Sequence, residues 1–236
     1  MVHCSKFRCC SEQLDKSGVV PGRTRVSEIN VAELEPVGEF GSTAWCEACA
    51  RYGIQLLQDG DLPPDTAWGF SEIYTHPPAR LLEGGREMSA YYLMVKDGRI
   101  TGGDGAPEEC RALPGFHVKL PWASICNQSR TKYGREGQLR RSAQEKVMFQ
   151  QIEEYVGRPN PLGLGGGPKH VWPREVGMAL GKGMEEGGGL HNIAASLQIP
   201  SPEFADFPTT DMAVPDFEAM SDEQKQRLLE LLAVER

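Results

Sequence analysis

Two thiols stand two residues apart in Cys46-Glu-Ala-Cys49, the spacing that lets a pair of thiolates grip one zinc ion, and Cys4, Cys9 and Cys10 could complete a four-thiolate shell. At the start of a helix the same pair could be redox-active, because helix N-termini lower a thiol pKa. Cys49 also sits at helical spacing from apolar residues and fits a small hydrophobe of the core; metal, redox and core readings stay open. A second constellation is Glu72 with His76, four residues apart near the end of an extended segment, where both could face one way. Among Trp68, Phe70 and Tyr74 an apolar surround would raise the carboxyl pKa toward general-base duty. The plain alternative puts Glu72 in solvent at a sheet edge and makes His76 merely the residue before Pro77. His117, in a later strand, is the third acid–base candidate, and the five histidines lack the close helical spacing of a metalloprotease.

Other motifs are incomplete. Gly163-Leu-Gly165-Gly166-Gly167-Pro168 invites a phosphate-loop reading, yet no strand precedes it, Pro168 removes an N–H, and no Gly-Lys-Ser/Thr ending follows, so a flexible linker fits better. No Gly-x-Ser-x-Gly elbow exists, and Ser124 and Cys126 have no partner identifiable in sequence. What stands out is aromatic density at Trp68, Phe70, Tyr74, Tyr91, Tyr92, Phe116 and Trp122. Most must be core, but Tyr91 and Tyr92 are adjacent and point to opposite faces of a strand, so one aromatic at least lies off the main core, where it could line a pocket.

The elements that must position these residues follow from periodicity. Ser42 or Thr43 caps a helix whose apolar stripe is Trp45, Cys49, Tyr52 and Leu56, stopped at Asp59-Gly60. Residues 67–75 read as a strand with Trp68, Phe70, Glu72 and Tyr74 on one side. Asp97-Gly98 between β-rich flanks predicts a hairpin over 89–102, since a type I′ turn needs positive φ twice. Phe116, Val118 and Leu120 alternate with His117 and Lys119 in a further strand closed by Pro121. Beyond residue 140 the pattern turns helical: Ser142 with Glu145 makes a capping box, with the stripe Met148, Ile152 and Tyr155 ending at Gly157. Pro173 opens a helix running to Gly187, and Ser221 with Gln224 caps a last one. The expected fold class is α+β, an antiparallel sheet of four to five strands packed against helices, followed by a helical extension. The expected divisions are an irregular lead-in at 1–40, an α+β ligand-binding-type domain at 41–157, and a Gly/Pro-jointed acidic helical extension at 158–236.

Composition sets bounds. A formal net charge of −8 from 33 acids against 25 bases disfavours nucleic acid, which needs clustered Lys and Arg; the basic stretch from Arg130 to Lys146 reads as a solvated helix approach. Apolar runs such as 90–95 fall far short of the ~20 residues a bilayer requires. Seven cysteines, an odd number, in a chain without an export signal predict reduced thiols and a soluble, cytoplasmic protein.

Taken together, Tyr91-Tyr-Leu-Met-Val-Lys-Asp-Gly-Arg-Ile100 and Pro114-Gly-Phe-His-Val-Lys-Leu-Pro-Trp-Ala123, in the order helix, strand, Asp-Gly hairpin, strand, helix, resemble the sterol-carrier-protein-2 family over about residues 42–156. The resemblance implies a five-stranded sheet covered by helices around a hydrophobic tunnel for lipids or acyl chains, and brings no catalytic residues with it. The first functional expectation is therefore binding of a small hydrophobic molecule, lipid-like or aromatic, in an apolar pocket lined by Trp68, Phe70, Tyr74, Tyr92, Phe116 and Trp122. The alternative is a small enzyme at the same pocket, using Glu72, His76 or His117 as acid or base, or a zinc held by Cys46 and Cys49. The C-terminal helices could form a lid or a homo-oligomer contact, and the acidic tail could dock a partner.

Overall fold

The computed structural model describes residues 29–132, 152–156, 173–181, 189–208 and 219–233. The chain enters through a 3-10 turn at Val31–Glu33 and a short strand β1 (Gly38–Glu39), then helix α1 (Thr43–Gln58). Ser42 caps α1 by accepting the Trp45 N–H at 3.2 Å, and the helix ends at Asp59 as its apolar stripe predicts. Strands β2 (Trp68–Thr75), β3 (Ser89–Lys96) and β4 (Arg99–Asp104) follow, then α2 (Glu108–Arg111), β5 (Gly115–Pro121), α3 (Trp122–Ser129) and β6 (Glu154–Tyr155). After these come α4 (Arg174–Leu180), α5 (Gly189–Ser196), β7 (Gln198–Ile199) and α6 (Asp222–Ala233). The class is α+β.

The main sheet has the order β4-β3-β2-β5-β6, so β2 lies at its centre. The hairpin turns at Asp97 and Gly98, with φ of 50° and 70°, the two positive values that a I′ turn demands. Three of the four pairings are antiparallel, whereas β2 and β5 run parallel. The wholly antiparallel sheet expected from the strand pattern is thus corrected to a mixed one. The cause is the connection after β4: α2 packs across β2 and β3 and returns the chain to the start of β2, where Gly115 registers with Gly69. Such a crossover is what parallel neighbours require.

A second correction concerns the helix read over 142–157. Residues 133–151 and 157 lie outside the described residues, but Glu154–Tyr155 is a strand pairing antiparallel with β5 at Lys119 and Val118. The Ile152–Tyr155 spacing is therefore not a helical stripe. The helix opened by Pro173 ends its described part at Gly181, short of Gly187. A further pairing had no sequence signal: β1 and β7 form a two-stranded parallel sheet across 160 residues of chain, Gly38 meeting Gln198.

Helix α1 packs on β3 and β4 and also touches α4 and α5. It comes close to the sheet because Gly53 has no side chain; a Cβ there would meet Leu93 at 2.7 Å. Val176, Leu180, Ile193, Leu197, Phe204 and Leu228 belong to the same buried cluster as Trp45, Trp68, Phe70 and Leu93. The segments after residue 173 thus help to build the core of the sheet domain and do not trail from it.

Candidate functional site

Alternation on β2 sends Trp68, Phe70, Glu72 and Tyr74 to the face covered by α1, joined there by Tyr91, Leu93 and Val95 of β3 and by Phe116, Val118 and Leu120 of β5. Every other residue that these three strands turn to that face is buried; Glu72 alone is only half-buried. Its neighbours make this informative. Along the strand lie Phe70 and Tyr74, 3 % and 2 % exposed, and across it Tyr91 and Val118, 6 % and 0 % exposed. A half-buried glutamate ringed by four buried side chains at the centre of a sheet means that the packing above it is less complete than around its neighbours.

The Tyr74 hydroxyl donates to Glu72 Oε2 at 2.9 Å, while Oε1 accepts no hydrogen bond among the described residues. Burial pushes the Glu72 carboxyl up to about 7, with the Tyr74 hydrogen bond pulling the other way. Desolvation disfavours the ionised form, and one hydrogen bond offsets only part of that cost. Near neutral pH the group therefore holds or releases a proton readily. The Tyr91 and Tyr74 phenols and the Cys49 thiol feel its charge after their own burial, and all three are held well above their ordinary values. They remain neutral donors around the carboxyl.

Beside this centre lies an arginine that sequence reading did not single out. Arg86 donates from Nε and Nη2 to the two carboxylate oxygens of Asp104, Nε at 2.9 Å. Its Nη1 donates to the backbone oxygens of Gly41 and Leu81 at 2.6 and 2.9 Å, and Nη2 also reaches Cys46 Sγ at 3.5 Å. All five N–H groups of the guanidinium fork are engaged, so Arg86 joins the entry to α1, the 3-10 segment Ala79–Gly85 and the end of β4. Arg86 and Asp104 also line an open cleft of about 420 Å³ with Glu87, Met88, Tyr92, Gly105, Ala106 and Pro107. With no donor left, Arg86 can shape this cleft but cannot grip a ligand in it.

The structure separates the other expected site residues. Trp68, Phe70 and Phe116 are buried and stacked in series, with ring centroids 6.2 and 6.0 Å apart. Phe70 also meets Tyr91 at 5.3 Å and Tyr74 meets Phe40 at 4.5 Å. Trp122 packs on Phe204 at 6.0 Å, and its Nε1 donates to the Phe40 backbone oxygen at 3.1 Å. Only Tyr92 lies on the opposite face, half-buried, in the cleft beside Arg86.

His117 is buried on the α2 side of the sheet, away from Glu72, and its Nδ1 stands 3.0 Å from Ser71 Oγ. Because the Leu113 carbonyl 3.1 Å from Nε2 can only accept, Nε2 carries the proton and Nδ1 accepts from the Ser71 hydroxyl. Burial holds the imidazole pKa down. This serine–histidine pair has the bonding of a nucleophile and its base, but Ser71 is 0 % exposed, so it serves the interior. His76 lies past the end of β2, exposed, with φ of 50°, so it leaves the strand geometry that would have aligned it with Glu72.

Cys46 and Cys49 are fully buried free thiols. Burial, first of all, raises both well above the usual thiol range, which disfavours the thiolate that zinc binding and redox exchange both need. Among the described residues no group of three or more His, Cys, Asp or Glu is placed to hold a metal ion; Cys4, Cys9, Cys10 and the 163–168 glycines lie outside them. Among those residues, too, no helix is long and apolar enough to cross a membrane. Arg86, Asp104 and Ser71 escaped sequence reading because their partners are distant in the chain. The one available signal was Ser71 itself, a small polar residue inside an otherwise apolar central strand. Set beside known proteins, the chain matches no family model, no curated protein and no solved structure.

Proposed function

We propose that the protein binds a small, mostly apolar molecule in the space beside Glu72, and that the molecule carries one hydrogen-bonding group that meets the Glu72 carboxyl. The observation that carries this reading is the half-burial of Glu72, with one oxygen unengaged among the described residues, inside a ring of buried aromatic and aliphatic side chains. The walls are Phe70, Tyr74 and Tyr91, which favour an apolar body. A protonated Glu72 can donate and an ionised one can accept, so an alcohol, an amide or an amine would each be served. The family resemblance adds acyl chains and sterols to the ligands worth testing.

A second reading makes the same carboxyl an acid–base catalyst, and its favouring observation is the pKa pushed up to about 7, close to where proton transfer is most effective at neutral pH. A thermal-shift panel of fatty acids, fatty alcohols, long-chain amines, acyl thioesters and sterols on wild type and Glu72→Gln tests the binding reading. Stabilisation of the wild type by at least one class, altered in Glu72→Gln, supports it. A panel without any shift in the wild type would remove it. Turnover of a stabilising thioester that Glu72→Gln abolishes would establish the second reading.

A further inference from the structure

A second group of side chains lies at the far end of α3, independent of Glu72. Asn127, Arg130 and Thr131 follow one another at helical spacing of three and four, so they share one side of α3 and its end. Asn127 Oδ1, Arg130 Nε and Thr131 Oγ1 are buried and have no hydrogen-bond partner among the described residues, and the same holds for Ser196 Oγ at the end of α5, which packs against α3. Asn127, Thr131 and Ser196 are 6 %, 1 % and 3 % exposed. Two residues after Ser196, the Gln198 side chain meets Cys126 Sγ and accepts from Ser129 Oγ of α3. One unsatisfied buried group is unremarkable; four on two helices that touch, and at the end of one of them, call for an account.

Arg130 supplies it. Its Nη1 and Nη2 donate to the Phe204 and Phe207 backbone oxygens at 2.5 and 3.0 Å, and its guanidinium lies over the Phe204 ring at 5.7 Å. These contacts tether the 201–208 segment but supply no negative charge. No carboxylate is paired with Arg130 among the described residues, and the nearby acids Glu39 and Glu203 are both bound to Arg80. The adjoining Cys126 thiol is neutral, its pKa pushed up to about 12, chiefly by burial. Burial holds the Arg130 pKa down, as expected of a cation lacking a counter-ion. The free Nε–H and the two hydroxyls are donors, and the Asn127 amide becomes one when turned by half a revolution.

We propose that this cluster binds one small oxyanion, a carboxylate or a phosphate, through the Arg130 Nε–H and the Thr131 and Ser196 hydroxyls. The anion neutralises the arginine and satisfies donors that otherwise stay buried without partners.

The test is thermal unfolding of the full chain in sodium acetate, sodium phosphate and sodium chloride at equal ionic strength. The expected result is a saturable rise in Tm with acetate or phosphate beyond that in chloride, the responding salt telling carboxylate from phosphate. Thr131→Val and Ser196→Ala, both near-isosteric, should weaken the apparent affinity about tenfold. In chloride Thr131→Val should melt at or above wild type, because it removes an unsatisfied hydroxyl. Equal Tm values in all three salts, or an undiminished oxyanion response in both variants, would overturn the proposal.

Discussion

Glu72 shows what a single residue does when its surroundings oppose its charge. Its folded pKa of about 7 lies above the ordinary carboxyl value near 4.3, so between those values the native state binds more protons than the unfolded one. Stability from this group is fully present below about pH 4 and is lost as pH rises through 7, a swing on the order of 3 kcal/mol. Glu72→Gln keeps an acceptor for Tyr74 and removes the titration. Its urea-unfolding free energy should exceed that of wild type at pH 8 and approach it at pH 5; a variant less stable than wild type at pH 8 would mean that the carboxylate is well solvated. At Cys49 the contrasting expectation is bland. Cys49→Ala should cost about 1 kcal/mol, as a small core truncation does, with metal content by elemental analysis equal to that of wild type.

At the scale of elements, local chemistry carried what was legible. The α1 cap, the strand faces and the Asp97-Gly98 turn each rest on neighbours in sequence, and the Ser221–Gln224 capping box closes through both of its hydrogen bonds, at 2.9 and 3.2 Å. The direction of β5, the strand at 154–155 and the β1–β7 pair depend on where the chain returns from far away, which periodicity does not encode. Arg86 belongs to the same hidden class: it lies 18 residues from Asp104 and 45 from Gly41, and only the folded loop brings them together. Because its planar fork meets five acceptors at once, Arg86→Lys cannot replace it. The expected loss is about 2–4 kcal/mol in urea unfolding, since the side chain is only 10 % exposed and a lysine ammonium cannot reproduce the two-point pair with Asp104 while also bonding Gly41 and Leu81. A loss below about 0.5 kcal/mol would show that the clamp is superficial.

For the whole molecule, the segments after residue 173 complete the core that α1 begins. Trp45 Nε1 donates to the Ala194 backbone oxygen at 3.0 Å, and the Phe204 ring covers Trp122. A chain ending at residue 172 would strip both contacts and expose the buried faces of Trp45 and Trp122. It should lose its near-ultraviolet circular dichroism and cooperative melting; a sharp transition in the truncated chain would mark residues 41–157 as a self-sufficient domain. The sequence showed the apolar stripes of these helices but not which surface they cover. The aromatic set was equally visible, but only packing distinguishes a wall from a core: five of the six expected lining residues touch other rings or fill the interior, Tyr92 lies on the other face, and the half-buried position on the α1 face is the acid.

Whether Glu72 is desolvated and meets a small ligand is read from an NMR titration of its side-chain carboxyl carbon. The resonance, assigned through Glu72→Gln, is followed from pH 4 to pH 9 in the free protein and with any compound that raises the melting temperature. The expected midpoint lies close to 7 and shifts when the compound binds. A midpoint at the ordinary value near 4.3, or one that stays fixed with every stabilising compound, would rule out that role for Glu72.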